Sequence, residues 1–468
     1  MTNQSSTTGI SAQFAALSLP PAMLDNLTSL GFTQMTPIQA QSLPPILQNR
    51  DLIGKAKTGS GKTAAFGVGL LCKLNVREFR IQALVLCPTR ELADQVGKDI
   101  RQLARFQHNI KVLTLCGGVS IGRQIGSLEH GAHIIVGTPG RIQDHLRKNT
   151  LDLQHVQTLV LDEADRMLDM GFADAIAAII GELPKQRQTL LFSATYPDSI
   201  KAMSASIQRD PIEVSVESTH SEAQIQQVFF EVEPAARSRA LIKLLEHYRP
   251  DSAAIFCNTK VQCQEVADAL QQRGFAALAL HGDMEQKERD QVLVRFANKS
   301  TPLLVATDVA ARGLDIKDLA AVINYELSRD PEVHIHRIGR TGRAGNAGLA
   351  LSLYAPAEAR RVAAIEAYQK SPIALGELDK LRANNDIELA APMVTICIDA
   401  GRKDKVRAGD ILGALTGPGG IDGGAVGKID ISDFHAYVAI ASEHVNQALQ
   451  CLAHGKIKGR SFKVRKVR

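Results

Sequence analysis

The same plan occurs twice in this chain. Ala83-Leu84-Val85-Leu86-Cys87-Pro88-Thr89-Arg90 is an apolar run that ends in threonine and a base, with a helical pattern after it. Ala253-Ala254-Ile255-Phe256-Cys257-Asn258-Thr259-Lys260 has the same shape and the same sequel. A second pair, Ile134-Ile135-Val136-Gly137-Thr138-Pro139 and Leu303-Leu304-Val305-Ala306-Thr307-Asp308, repeats in the same way. Short apolar strands alternating with helices at this spacing need crossover helices, and hence parallel sheets. The repetition makes two domains of one α/β fold, and 468 residues are too many for one core. Residues 1–13, rich in Ser, Thr and Gln, are expected to be disordered. The first domain is expected over 14–216, a polar linker over 217–227, the second domain over 228–371 and a further linker over 372–392.

Two stretches of the first half carry chemistry. Leu159-Val160-Leu161 reads as a buried strand, and Asp162 and Glu163 follow where it should end. That is the edge at which open parallel sheets bind ligands. Upstream, Asp51-Leu52-Ile53-Gly54 reads as a strand, Ala56-Lys57-Thr58-Gly59-Ser60-Gly61-Lys62-Thr63 as a Gly-rich loop and Ala64 to Leu71 as a helix. The backbone N–H groups of such a loop can cradle phosphates, Lys62 can reach the terminal ones, and the Thr63 hydroxyl can ligate Mg²⁺. Ala56 stands where the strict pattern has its first glycine. Asp162 is placed to hold Mg²⁺ and Glu163 to orient a water. In the second half, His336-Arg337-Ile338-Gly339-Arg340-Thr341-Gly342-Arg343 sets Arg337, Arg340 and Arg343 on one face if the segment is helical. Three cations on one face repel unless something anionic stands opposite.

No apolar run approaches the ~18 residues of a membrane span. The polar start, Met1 to Ser11, lacks the plan of a signal peptide. Seven scattered cysteines without a CxxC pair suggest neither a zinc site nor a disulfide framework. A cytoplasmic protein without a membrane partner is expected. The net charge is +5, and Met393 to Arg468 holds 12 basic and 7 acidic residues, leaving the rest balanced at 42 of each. The positive excess of the last segment suits a polyanionic partner. That segment reads as strand (Val394 to Ile398), helix (Ala408 to Leu415), Gly-rich turn (Gly417 to Gly427), strand, strand (Phe434 to Ile440), helix (Ser442 to Leu452) and basic strand (Ser461 to Val467). The order βαββαβ suggests a ferredoxin-like or RNA-recognition-motif domain over 393–468. Aligned on the RNA-recognition signature, Tyr437 is its one aromatic at a stacking position, with His435 and Ile440 replacing the other two. Loops and basic edges, with Lys463 and Arg465, are then expected to make contacts.

Together these stretches resemble the DEAD-box RNA helicases. Asp162-Glu163-Ala164-Asp165 is the motif that names the family, and the resemblance runs in order from Phe14 to about Tyr368. The last domain resembles that of members directed to large-subunit ribosomal RNA. The resemblance implies an α/β chain of two tandem RecA-like parallel-sheet domains followed by a small α+β RNA-recognition-motif-like domain. It implies a monomeric RNA-dependent ATPase and helicase that uses ATP and Mg²⁺ and acts on a pre-50S particle. An ATP-gated RNA clamp that scaffolds without unwinding would use the same residues.

By the same resemblance Phe14 stacks on adenine, while Thr36 and Gln39 read its edge. Ala56, Thr58, Gly59, Ser60, Gly61, Lys62 and Thr63 hold phosphates, Thr63 and Asp162 the metal, and Asp315 the ribose. Glu163 positions the water, and Arg340 and Arg343 act as arginine fingers, a device that contributes ~10³–10⁵ in rate to phosphoryl transfer. Asp165, Ser193, Thr195 and His336 couple nucleotide state to RNA. In the first domain RNA is held by Pro88, Thr89, Arg90, Gly118, Thr138 and Arg141. In the second it is held by Asn258, Thr259, Gln286, Arg289 and Thr307. These small polar groups and loop backbones suit phosphates and 2′-hydroxyls, so this core should be indifferent to sequence.

The basic tail Lys456, Lys458, Arg460, Lys463, Arg465, Lys466 and Arg468 contains no acid. If about four of these bases neutralise phosphates, removing 393–468 should flatten the slope of log RNA affinity against log salt by ~3, at ~0.7 per single-strand contact. Equal slopes for the whole and the shortened chain would take the tail out of the interface.

Overall fold

The computed structural model describes residues 13–56, 59–216, 225–311, 319–342, 348–382, 391–417 and 419–467. The chain divides into two compact units between residues 216 and 225. In the first, Thr158–Asp162 is the central strand of a seven-stranded parallel sheet. The strand order is Val112–Leu115, Ile134–Gly137, Ala83–Leu86, Thr158–Asp162, Gln188–Ser193, Leu52–Lys55, Ile212–Ser215. Its strands Ala83–Leu86, Thr158–Asp162 and Gln188–Ser193 are buried throughout because helices cover both faces. One face packs Leu52, Val85, Val136, Val160 and Leu190 against the helices Pro37–Leu47, Lys62–Lys73 and Arg90–Leu103. The other packs Ile53, Leu84, Ile135, Leu159 and Leu161 against Pro139–Arg147, Ala164–Asp169, Ala173–Gly181 and Asp198–Ile207.

The second sheet runs Ala277–Leu280, Leu303–Thr307, Ala253–Cys257, Ala321–Asn324, Gly348–Tyr354, Ile225–Glu231, Ala374–Gly376, again parallel. Counted from its own first strand, each sheet has the order 3-4-2-5-6-1-7. The repeated motifs occupy the second and fourth strands of both, so the internal repeat is a repeat of structure. Both are RecA-like sheets. Ile225 to Gln227, placed in the linker by their polarity, open the first strand of this sheet. Ala374–Gly376, also placed in a linker, is its edge strand. Ala374 and Leu375 are exposed, so no apolar period marks the strand. Gly376 lets it approach, since a Cβ there would stand 2.4 Å from the Phe230 ring.

The last domain is a four-stranded antiparallel sheet in the order Val426–Ile431, Ala436–Ala441, Met393–Ile398, Val464–Lys466. The helices Ala408–Thr416 and Val445–His454 pack on one face through Ile411, Leu415, Ala448 and Leu452 against Ile396, Ile398, Val438 and Ile440. The sequence order βαββαβ is therefore realised as an α+β RNA-recognition-motif-like domain. Ile440 corrects one expectation. It was aligned with a stacking position, but strand alternation puts it on the opposite face from Tyr437, inside the core.

Gly54 lies in the Leu52–Lys55 strand with the Phe192 ring across the space a Cβ would fill, 2.5 Å away. Gly54→Ala should therefore overpack this contact and destabilise the first unfolding transition by about 1–3 kcal/mol. Phe192→Leu should relieve it in part. A neutral Gly54→Ala in a denaturant titration would contradict this packing.

Candidate active site

The strand Leu52–Lys55 leads to the Gly-rich loop, and the loop to the helix Lys62–Lys73. Gly59 and Gly61 have φ of 86° and 95°, values open to glycine and costly for other residues. A Cβ on Gly61 would also stand 2.5 Å from Gln39 Nε2. Gln39 ties the loop to the helix Pro37–Leu47: its Oε1 accepts from the Thr36 N–H at 2.9 Å, and its Nε2 donates to the Gly61 carbonyl at 3.1 Å. The pair expected to read adenine thus lies against the pair expected to hold phosphate. Phe14 is buried, edge-to-face with Phe32 at 6.3 Å between ring centroids. Lys62 is buried and donates to the Ala56 carbonyl at 2.9 Å. Thr63 is half-buried on the first turn of its helix.

Three carboxylates lie within four residues at the end of the central strand, Asp162 and Glu163 each 3% exposed and Asp165 6%. Each is treated differently. Asp165 is saturated: Oδ2 accepts from the Thr195 N–H and hydroxyl, both at 2.9 Å, and Oδ1 from the Arg166 N–H at 3.0 Å. Its own N–H donates to Ser193 Oγ at 3.3 Å, so Asp165, Ser193 and Thr195 form one network. Glu163 makes an ion pair with Arg166. Asp162 keeps a buried Oδ1 with no hydrogen-bond partner among the described residues. Burial pushes Asp162 up to about 6, with Lys62 opposing and Glu163 adding to the shift. A hard oxygen without a partner, a buried lysine and a loop too tight for a Cβ fit a magnesium ion bound to nucleotide phosphates.

The first sheet sorts the expected residues by strand. Those expected to hold phosphate and metal, position the water or couple to RNA end or follow its first, fifth and sixth strands, which are neighbours, while Phe14, Thr36 and Gln39 precede the first strand. Those expected to meet RNA follow its second, third and fourth, also neighbours. Pro88 ends the second strand's turn, and Thr89 caps the helix Arg90–Leu103, accepting from the Leu92 N–H at 3.3 Å. Arg90 lies 3.9 Å from Asp94. Gly118 has φ 73°, and Thr138 is the N-cap of Pro139–Arg147. Arg141 donates to the Val119 carbonyl and to Gln124 Oε1, both at 2.9 Å, which ties the Gly118 loop to that helix.

The second domain repeats this arrangement. Thr259 caps Lys260–Gln272 as Thr89 caps its helix, accepting from Gln262 N–H at 3.2 Å. Thr307 accepts from Ala310 N–H at 3.4 Å, and Arg289 reaches the Ala310 carbonyl at 3.5 Å from the helix Gln286–Ala297, whose first residue Gln286 donates to Asp290. The arginine cluster is not one helical face. The helix Pro331–Ile338 ends before Arg340, and Arg337 points into the core, 2% exposed. Its guanidinium donates to both oxygens of Asp308 at 2.6 and 2.7 Å, to Asn258 Oδ1 at 2.9 Å, to Asn324 Oδ1 at 3.1 Å and to the Glu326 carbonyl at 2.7 Å. Arg337 therefore organises the loops of Asn258 and Asp308. Nothing in the sequence separated it from Arg340, because its inward aim depends on where the helix stops. His336 lies on the same helix, its Nε2 4.0 Å from Glu332. Arg340 is buried in the turn after it. Thr58, Asp315 and Arg343 lie outside the described residues.

In the last domain Tyr437, Cys397 and Arg465 form one row across the sheet. Thr395, on the same face, bonds Ser300 at 2.6 Å and accepts from Asn298 Nδ2 at 3.2 Å, so part of this face is covered by the second RecA-like domain. Tyr437 is half-buried and shares a hollow with Gln291 of that domain. Arg465 pairs with Asp399, and Lys463 is exposed.

Comparison with known proteins agrees with this geometry. Family models match at residues 36–203 (DEAD/DEAH box helicase), 236–345 (helicase conserved C-terminal domain) and 395–466 (DbpA RNA binding domain). The ATP-dependent RNA helicase DbpA of Escherichia coli strain K12 is 54% identical over 448 residues, covering 96% of this chain and 97% of the relative. The chain belongs to the DEAD-box ATP-dependent RNA helicases. A second relative in the family, CshA of Bacillus subtilis, is 44% identical over 354 residues, 75% of this chain and 72% of its own. Among solved structures, Saccharomyces cerevisiae Dbp5 bound to RNA and ADP BeF3 aligns with a TM-score of 0.72 at 31% identity, over 79% of this chain and 96% of that one. Unlike these two matches, that to the DbpA relative runs through the last domain. The chain is thus a DEAD-box ATP-dependent RNA helicase with a DbpA-type RNA-binding domain.

For this helicase, Arg337→Ala should cost about 3–5 kcal/mol in the second domain, because it strands the Asp308 carboxylate and the Asn258 amide. Denaturant unfolding of the variant measures this. A loss under 1 kcal/mol would mean that the network is dispensable.

Proposed function

We propose that the chain couples ATP hydrolysis to local separation of short RNA duplexes in large-subunit ribosome assembly, with its last domain supplying the address. The observation that carries the chemistry is the cluster of three buried carboxylates, in which Asp165 is saturated, Asp162 retains an oxygen with no hydrogen bond among the described residues, and Glu163 Oε2 faces Arg166 at 3.3 Å as an ion pair without a hydrogen bond. Thr63 and Asp162 would hold Mg²⁺, which would draw charge from the phosphates when bound. Lys62 and the N–H groups of Gly59, Ser60 and Gly61 bind the phosphate oxygens. Phe14, Thr36 and Gln39 select adenine, and Asp315 holds the ribose. Glu163 orients the attacking water and accepts its proton at the carboxylate. Arg340 and Arg343 stabilise the charge of the transferring phosphoryl group.

ATP and RNA each favour the closed arrangement of the two RecA-like domains, and so each favours binding of the other. The network of Asp165, Ser193 and Thr195, with His336, carries this linkage. RNA lies on the loops of Thr89, Gly118, Thr138, Asn258, Gln286, Arg289 and Thr307. Two findings support the address: the family match over 395–466 and the excess positive charge of that segment.

Glu163→Gln should keep ATP and RNA affinity and nearly abolish turnover at saturating RNA, since the amide keeps size and loses charge. Near-normal turnover would remove Glu163 from the water's path. Deleting 393–468 should leave hydrolysis with generic RNA at high concentration and abolish preference for ribosomal RNA fragments. Equal preference in both forms would contradict the address.

A further inference from the structure

Glu163 has a partner to which neither the motif nor the family match assigns a role. Its carboxylate lies 3.3 Å from the Arg166 guanidinium, with both side chains under a tenth exposed. The two residues bracket the first turn of Ala164–Asp169, where Glu163 is the N-cap with φ 52° and ψ 52°. That left-handed backbone is uncommon outside glycine, so the Glu163 side chain does not leave the chain in the direction of a residue within the helix. Asp165 cannot help to aim it, because both its oxygens are taken by Thr195 and the Arg166 N–H. Lys62 belongs to the phosphate loop, donating to the Ala56 carbonyl. Arg166 is the cation on the helix side of Glu163, and its backbone is pinned by the bond to Asp165 Oδ1.

A buried ion pair seldom stabilises a fold more than apolar residues of the same volume. The ion pair therefore says more about how Glu163 is aimed than about stability. We propose that Arg166 is the positioning residue for Glu163, holding its carboxylate at the angle from which it orders the attacking water. This rests on the role given to Glu163 above. Arg166 itself touches neither nucleotide nor water in this scheme.

The experiment is a double-mutant cycle on the full chain, read by RNA-stimulated ATPase rate, fluorescent-ADP affinity and thermal melting. Arg166→Met should lower kcat by roughly 10²-fold, the scale of a small misplacement of a catalytic group, with ADP affinity unchanged. Arg166→Lys should recover most of the rate, because it restores a cation. In a Glu163→Gln background, Arg166→Met should add no further loss. Arg166→Met should lower the melting temperature because it leaves the Glu163 carboxylate buried without its cation, so the rate and affinity decide: full multiplication of the two losses, a fall in ADP affinity, or failure of lysine to rescue would overturn the proposal. A Glu163→Gln chain that hydrolyses normally would overturn the reading of Glu163 itself. A slow Glu163→Gln chain beside an unaffected Arg166→Met chain would overturn only the part given to Arg166.

Discussion

Buried negative charge is the constraint around which the first domain is arranged. Asp162, Glu163 and Asp165 enter the protein together at the end of the central strand, where a carboxylate is costly unless it is paired or hydrogen-bonded. Asp165 meets that cost with donors from Thr195, in the turn after the sixth strand, and from the Arg166 N–H, while its own N–H donates to Ser193, so that Ser193 and Thr195 are bound to the motif. Glu163 meets it with Arg166. Asp162 is only partly compensated, by Lys62, and burial holds its acidity near the value at which it still binds a proton in mildly acid solution. The fold fixes this inequality: the register of Thr158–Asp162 on Gln188–Ser193 sets Asp162 beside Phe192 and brings the Ser193 turn to Asp165.

The shared strand order 3-4-2-5-6-1-7 sets the loops at one edge of each sheet in two neighbouring groups. Loops after strands five, six and one stand together, and so do loops after three, four and two. Strands two and five of the first sheet, where the two groups of loops meet, are hydrogen-bonded neighbours. In the second domain Arg337 fastens the helix Pro331–Ile338, which follows the fifth strand, to the loops of Asn258 and Asp308. His334, buried beside it against Phe229, is pushed down to about 3 by burial, with Arg337 adding, so it stays uncharged at neutral pH.

Much of this was legible in the sequence, for reasons that can be named. Thr89 and Thr259 stand in matching positions because each must cap the helix after the same strand, and capping is local chemistry. The Gly-rich loop was legible because positive φ at Gly59 and Gly61 needs glycine. Other features depend on distant partners. The strand Ala374–Gly376 carries no apolar period and is admitted through a glycine facing Phe230. Arg337 and Arg340 look alike until the helix end between them is known. Ile440 was aligned by motif when its parity placed it with the core. The pairing of Arg166 with Glu163 is short in sequence, yet it needed the left-handed turn at Glu163 to be seen.

The last domain adds the chain's excess positive charge to two RecA-like domains whose own charges balance or nearly so. Its sheet is partly covered, through Thr395, by Asn298 and Ser300 of the second domain, and the basic groups Lys456, Lys458, Arg460, Lys463, Arg465 and Lys466 lie along the strand Val464–Lys466 and the loop before it. An enzyme built this way should hydrolyse ATP fastest on RNA that engages core and last domain at once. The direct measurement is ATPase stimulation of the whole chain by short fragments tiled across both ribosomal RNAs. The account predicts a sharp maximum at one group of overlapping large-subunit fragments; equal stimulation along the whole length would contradict it.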